Sequence, residues 1–232
     1  MKKTIGKTFN SIINQSSHDF EYVVVDGGST DATLDLVKEF ERSKKFKGIF
    51  KYISEADQGI YDAINKGIKL STGSYIGLLN SDDWYEENVI EVISKNISIE
   101  SDVDIFYGYI RLVKDGREYM VRRNNYDFIM EGIGLIQHPT CFIRKRAYED
   151  VGSYDISYRV CADQDMMLRM YKSNKTYKPV DCVITNFSMG GISYSYDSSL
   201  EVLRFKLAHG IISKVEYINR YLYHKLKKII MG

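Results

Sequence analysis

The sequence is poor in residues that punctuate or staple a chain. Its 232 residues include 2 prolines, 3 cysteines and 1 tryptophan. With so little proline and no low-complexity tract, no linker divides it. Cys141, Cys161 and Cys182 form no C-x-x-C pair, which excludes a disulfide framework and a zinc pattern and fits a reducing cytosol. With 32 basic and 31 acidic residues the net charge is +1, so no global field recruits nucleic acid. No stretch approaches the ~18 apolar residues of a spanning helix. The opening "MKKTIGKTFNSIINQSS" lacks the apolar segment of a signal peptide, and the expected location is cytoplasmic. Neither G-x-G-x-x-G nor G-x-x-x-x-G-K-[ST] occurs, so dinucleotide and P-loop readings lose support.

What is present is periodic. Ile5, Phe9, Ile12 and Ile13 share one helical face at the start of the chain. "YVVVD" (22–26) is a β-branched run ending in "GGSTD", which reads as strand, glycine turn and helix cap. A helix with Leu34, Val37 and Phe40 follows, then a strand near "FKYIS", then a helix with Ile60, Ala63, Ile64 and Ile68 on one face, then "YIGLLN" as a third strand. This alternation predicts an α/β fold with a parallel sheet covered on both faces, whose ligands bind beyond the carboxyl ends of the strands. Farther on, "VDIFYGYIRLVKDGREYMVRR" predicts a hairpin turning at Asp115-Gly116. "GLIQHPTCFIRKRAYEDVG" predicts a strand edged by Pro139 and a short helix, "ADQDMMLRMYKS" a helix and "YKPVDCVITNF" a strand. From about Ser198 the pattern is helical and increasingly basic.

Acids stand at two of the strand ends, Asp26 after "VVV" and the pair Asp82–Asp83 after "IGLLN". Neighbouring carboxylates repel unless a cation sits beside them, so the pair reads either as a divalent-metal site or as an Asx turn opening the next helix. Asp26 is open to the same two readings, a hydrogen-bond acceptor for a ligand or part of a plain strand-to-helix turn, and Gly27 and Gly28 would let a ligand approach the backbone.

"YVVVDGGSTDATLDLVKEF", "ISEADQGIYDAINKGIKLSTGSYIGLLNSDDWY", "QHPTCFIRKRAYEDVGSYD" and "CADQDMMLRM" follow one another in the order and approximate spacing of the family 2 glycosyltransferases, which the chain resembles over roughly residues 1 to 185. The resemblance implies the GT-A fold, with a mostly parallel central sheet flanked by helices and here a C-terminal helical extension. It implies an inverting enzyme that moves a sugar from a nucleotide-diphosphate donor to a hydroxyl of a glycan or lipid-linked acceptor, as in bacterial surface polysaccharide synthesis. Asp26 then meets the nucleotide base beside Gly27 and Gly28, Asp57 faces the nucleotide, Asp82 meets the ribose, and Asp83 holds Mg²⁺ or Mn²⁺. Asp163 in "ADQD" matches the general base, although Ala162 stands where a glutamate is usual. His138 and Trp84 are candidate acceptor contacts, with Gln58 and Tyr61 as further sugar-facing candidates. Residues 1–100 correspond to the nucleotide-sugar half, 101–195 to the acceptor and catalytic half, and 196–232 to the helical extension.

One departure stands out. Family members carry an additional strand ahead of the first helix, in the middle of the sheet, whereas Met1 here falls at the helix start. A version extended by such a strand is expected to be more stable and more active. The alternative is a truncated or inactive subunit that binds sugar nucleotides without turnover. A sugar-1-phosphate nucleotidyltransferase would want a glycine-rich N-terminal phosphate loop, which is absent. The basic amphipathic end "YINRYLYHKLKKIIMG" suits either the inner, anionic face of a membrane or a solvated helix.

Overall fold

The amphipathic opening segment folds as helix α1 (Ile5–Ile13), which buries Ile5, Phe9 and Ile12. Strand β1 (Glu21–Asp26) follows, then α2 (Thr33–Ser43), β2 (Ile49–Ser54), α3 (Ile60–Leu70) and a short β3 (Tyr75–Gly77). Next come β4 (Trp84–Tyr85), α4 (Val89–Ile99) and the hairpin β5 (Ile105–Lys114) and β6 (Arg117–Arg122). A 3-10 turn (His138–Thr140) leads into β7 (Cys141–Arg144), α5 (Lys145–Val151), α6 (Ala162–Lys172) and β8 (Tyr177–Ser188). Helices α7 (Tyr196–Ala208) and α8 (Lys214–Met231) complete the order. This computed structural model describes residues 4–124, 136–190 and 196–231. Gly134 and Leu135, which the sequence places at the start of the strand before Pro139, lie outside the described residues.

The strands form two sheets. β1 and β2 pair in parallel as a two-stranded sheet, and the other six strands run in the order β3-β7-β5-β8-β4, with β6 on β5. The expectation of a mostly parallel sheet is corrected in its strand directions. β3–β7, β4–β8, β5–β6 and β5–β7 are antiparallel, and only β1–β2 and β5–β8 are parallel. A helix crossover makes two strands parallel only when they become neighbours. Here β7 inserts between β3 and β5 and opposes both.

Successive strand residues point to opposite faces, and the core divides accordingly. Ile105, Tyr107, Cys141 and Ile143 pack with Met166, Met167 and Met170 of α6. Phe106, Phe142 and Ile184 pack on the other side with Phe9, Ile12, Val89 and Ile93 of α1 and α4. Each such apolar side chain contributes roughly 1.5–3 kcal/mol when fully buried. Thr8 reinforces the docking of α1 by donating its hydroxyl to the Asp83 carbonyl at 2.7 Å.

Between the two sheets lies an open slot. Among the described residues, β1 pairs with β2 alone and β3 with β7 alone. A cavity of about 1910 Å³ touches every residue from Phe20 to Asp31 and every residue from Tyr75 to Asp82. Because side chains alternate along a strand, a space that meets consecutive residues runs along strand edges rather than over one face. α1 contributes Ile5, Phe9 and Ile12 to its lining, and α3 contributes Ile64, Gly67 and Ile68.

Candidate active site

Acids at and beyond the carboxyl ends of β1 and β3 line this cavity. Asp26 ends β1 and is almost fully buried, with its carboxylate accepting hydrogen bonds from the Ser54 hydroxyl at 2.6 Å and the Ser29 amide at 3.2 and 3.3 Å. Burial pushes this carboxyl up, but the donors from Ser29 and Ser54 prevail and hold it below its ordinary value. Gly28 turns the chain with φ +79°, a conformation that favours glycine. Asp57 packs against Gly27 so closely that a Cβ there would lie 2.1 Å from its Oδ2. Asp57 also accepts the Gly59 amide at 3.0 Å.

The two aspartates of the pair part company. Asp82 lines the cavity. Asp83 is 1% exposed, and its oxygens accept the Ser188 amide at 2.9 Å and the Asn80 side-chain amide at 2.9 Å. Burial pushes its carboxyl up to about 7, with Asp82 adding to the rise and Ser188 and Asn80 opposing it. No ion pair with Lys or Arg reaches Asp83 among the described residues.

Asp163 lies in the first turn of α6, where acids favour the helix N-terminus. Its Oδ2 is 3.2 Å from His138 Nδ1, and its Oδ1 accepts the Tyr61 hydroxyl at 3.4 Å and the Gln164 amide at 2.8 Å. Tyr61 is buried in α3 and stacks on Tyr154 with ring centroids 5.7 Å apart. Burial, then the Asp163 charge, keeps the Tyr61 phenol protonated far above its ordinary range. The fold thus brings Asp26, Asp57, Asp82, His138 and Asp163 to one cavity, with Gly27, Gly28 and Tyr61 in its lining.

Three candidates sit elsewhere. Asp83, the expected metal ligand, is not among the lining residues and turns its oxygens to Ser188 and Asn80. Trp84 is not among the lining residues, and the Lys7 ammonium lies 3.1 Å from the centroid of its ring. Gln58 is also outside the lining and donates its amide to Asp62 at 3.0 Å. Sequence reasoning missed Ser188, which secures Asp83, and the segment around α7, which supplies Val202, Phe205, Lys206 and Ile211 to the cavity. No local pattern marks these residues, because their partners are distant in sequence.

The model of glycosyl transferase family 2 matches residues 2–161. The chain belongs to this family. It is 32% identical over 172 residues to a PGL/p-HBAD biosynthesis glycosyltransferase of Mycobacterium bovis (strain BCG / Pasteur 1173P2), a match covering 71% of this chain and 63% of that protein. The chain therefore spans less than two thirds of that relative's length. Among solved structures, S. aureus TarS 1-349 in complex with UDP-GlcNAc superposes with a TM-score of 0.70 at 21% identity, covering 88% of this chain and 62% of that one. The mannosyltransferase PcManGT from Pyrobaculum calidifontis, in complex with GDP-Man and Mn²⁺, gives a TM-score of 0.64 at 15% identity, covering 88% and 58%. These likenesses establish the fold as that of the GT-A glycosyltransferases. In this chain Asp26, at the carboxyl end of β1, and Asp82, beyond that of β3, stand on one cavity.

Proposed function

We propose that the chain is an inverting glycosyltransferase that moves a sugar from a nucleoside-diphosphate donor to a hydroxyl of a glycan or lipid-linked acceptor in surface polysaccharide synthesis. The observation that carries this reading is the placement of Asp163, oriented by His138 and Tyr61, on the same cavity as Asp26, Asp57 and Asp82. The complexes of TarS with UDP-GlcNAc and of PcManGT with GDP-Man support the donor class.

In this reading Asp26 and Asp57 receive the nucleotide, beside the glycine pair that lets it approach the backbone, and Asp82 receives the ribose. Asp163 takes the proton from the acceptor hydroxyl as the acceptor oxygen bonds to the anomeric carbon. The bond from that carbon to the diphosphate oxygen breaks in the same displacement, and its electron pair leaves with the nucleoside diphosphate. One base suffices, since no covalent sugar intermediate forms. His138 and Tyr61 hold the Asp163 carboxylate in place, and His138 reaches the acceptor from the same wall.

The donor set fits a divalent cation, Mg²⁺ or Mn²⁺. Asp83 is a buried acid beside another acid, without a cationic partner among the described residues, and a cation would supply the missing charge. Asp82, which lines the cavity, would meet the ion, and Asp83 behind it would join by exchanging its hydrogen bonds from Ser188 and Asn80 for the metal. The described residues contain no group of three or more His, Cys, Asp and Glu side chains arranged for a metal, so diphosphate oxygens and water would complete the shell. When bound, the ion would neutralise the departing diphosphate.

A lipid-linked acceptor is supported by α8. Val215, Ile218, Leu222 and Leu226 are all more than 45% exposed on this helix, at spacings of 3, 4 and 4 residues that place them on one face. Lys214, Arg220 and Lys225 belong to the same helix, which suits an anionic membrane surface. No helix among the described residues is long and apolar enough to cross a membrane.

A sugar-nucleotide-binding subunit without turnover is the second reading, favoured by the slot beside β1. Calorimetry with UDP, GDP and dTDP, with and without Mn²⁺, combined with a transfer screen across nucleotide sugars, separates the two. Asp163→Asn should reduce turnover by at least ~10³-fold with donor affinity retained, and Asp83→Ala should abolish metal-dependent binding. Tight donor binding with no transfer to any acceptor selects the second reading. Binding indifferent to both substitutions refutes the site.

A further inference from the structure

The segment entering α6 is held from outside its own helix. The amides of Arg159, Val160 and Cys161 all donate to the carboxylate of Glu201 on α7, at 3.0 and 3.2 Å, 2.8 Å and 2.9 Å respectively. Three successive amides converging on one anion form a nest, a concavity that selects negative charge. The first helical hydrogen bond, from the Asp165 amide to the Cys161 carbonyl, is 2.9 Å long and starts at the last nest residue. Asp163 lies two residues beyond that residue, so its backbone inherits the position of the nest.

The surrounding packing makes this contact the junction between α7 and the base. Phe205 is 1% exposed and packs edge-on to Tyr158, with centroids 5.9 Å apart. Cys161 and Ala162 are fully buried. Val202, Phe205 and Lys206 also line the cavity, so one face of α7 both walls the site and anchors the base-bearing helix.

We propose that Glu201 is a positioning residue for Asp163. Its carboxylate holds the 159–161 nest and thereby sets where the Asp163 carboxylate stands relative to the acceptor hydroxyl. This rests on the glycosyl-transfer reading above. A displacement of the base near 1 Å reduces turnover on the order of 10²-fold, while the donor's contacts on β1 and β3 remain as they were.

The test uses the full chain and compares Glu201→Ala, Glu201→Gln and Glu201→Asp, alone and combined with Asp163→Asn. Glu201→Ala should lower kcat about 10- to 100-fold with the donor Kd changed less than about twofold. Glu201→Gln keeps an acceptor oxygen in the nest and should retain at least about a third of kcat. Glu201→Asp keeps the charge but withdraws it by one methylene, so it should lose kcat even when Glu201→Ala folds poorly. In the Asp163→Asn background none of the three should reduce residual turnover further, because residues acting as one unit are non-additive. Parallel loss of kcat and donor affinity, or losses that multiply with Asp163→Asn, would overturn the proposal. If the unaltered protein transfers no sugar, the glycosyl-transfer reading fails separately. Amide exchange then decides the positioning claim: exchange at residues 159–163 should accelerate in Glu201→Ala and not in Glu201→Gln, and unchanged exchange in both overturns it.

Discussion

At the scale of single residues, close approach and charge pairing yield two predictions. A methyl group at Gly27 would meet Asp57 Oδ2 at 2.1 Å and Cγ at 2.7 Å. The obstacle is a side chain on the cavity, so Gly27→Ala should cost little stability but push the Asp57 carboxylate aside. Donor Kd should rise by about tenfold, equivalent to roughly 1.4 kcal/mol, and a nucleotide titration that matches the unaltered protein would contradict this. Glu21 tests electrostatics. Burial pushes its carboxyl up, but the Lys51 ammonium at 2.6 Å, the amides of Thr72 and Gly73 and the Thr72 hydroxyl overcome that and bring it down to about 2. A carboxyl with a depressed folded-state pKa contributes stability that is present above its ordinary value near 4.5 and is lost as the pH falls towards about 2. Urea midpoints should therefore fall between about pH 4.5 and 2, and Glu21→Gln should flatten that part of the curve. Identical slopes in both proteins would exclude the assignment.

At the scale of elements, β5 sits between β7 and β8 and tolerates nothing larger than hydrogen at Gly108. A Cβ there would lie 2.6 Å from the Cys182 carbonyl oxygen and 2.8 Å from Ile184 Cγ1. Backbone cannot swing aside as a surface side chain can, so Gly108→Ala should destabilise by about 1–3 kcal/mol, measured as a lower urea midpoint with an unchanged slope. Elements were legible in the sequence wherever one period governed several residues. The face of α1 carrying Ile5, Phe9 and Ile12 is one case, and the Asp115–Gly116 hairpin turn, with φ of 50° and 77°, is another. Strand direction was not legible, because the insertion of β7 between β3 and β5 is decided by residues far apart in the chain. The site divides in the same way. Strand ends and the four family stretches brought Asp26, Asp57, Asp82 and Asp163 together. They did not reveal that Asp83 turns inward to the Ser188 amide, that Lys7 covers Trp84, or that Glu201 accepts the amides leading into α6.

At the scale of the whole molecule, the slot between the sheets decides how complete the site is. Its edges are the sides of β1 and β3 that no described strand pairs, and its faces are apolar residues of α1 and α3. A strand placed there would satisfy backbone groups on two edges at once, each hydrogen bond contributing about 1 kcal/mol. It would also remove the surrounding apolar surface from water at roughly 25 cal/mol per Å². Asp26 ends one edge and Asp82 follows the other, so the same strand would fix the separation of two residues assigned to the donor. We therefore predict that fusing a six-residue β-branched strand and a short turn ahead of residue 1 raises Tm by about 10 °C, taking several kcal/mol at ~2–4 °C each for a domain of this size. Donor affinity and turnover should rise with it. The same extension with proline at its centre cannot complete the ladder and should leave Tm within about 2 °C of the unextended chain, which separates strand pairing from any general effect of added apolar residues. Equal melting temperature and turnover for the extended and unextended proteins would show that the slot is not a strand site and that the donor acids are already held at their working separation.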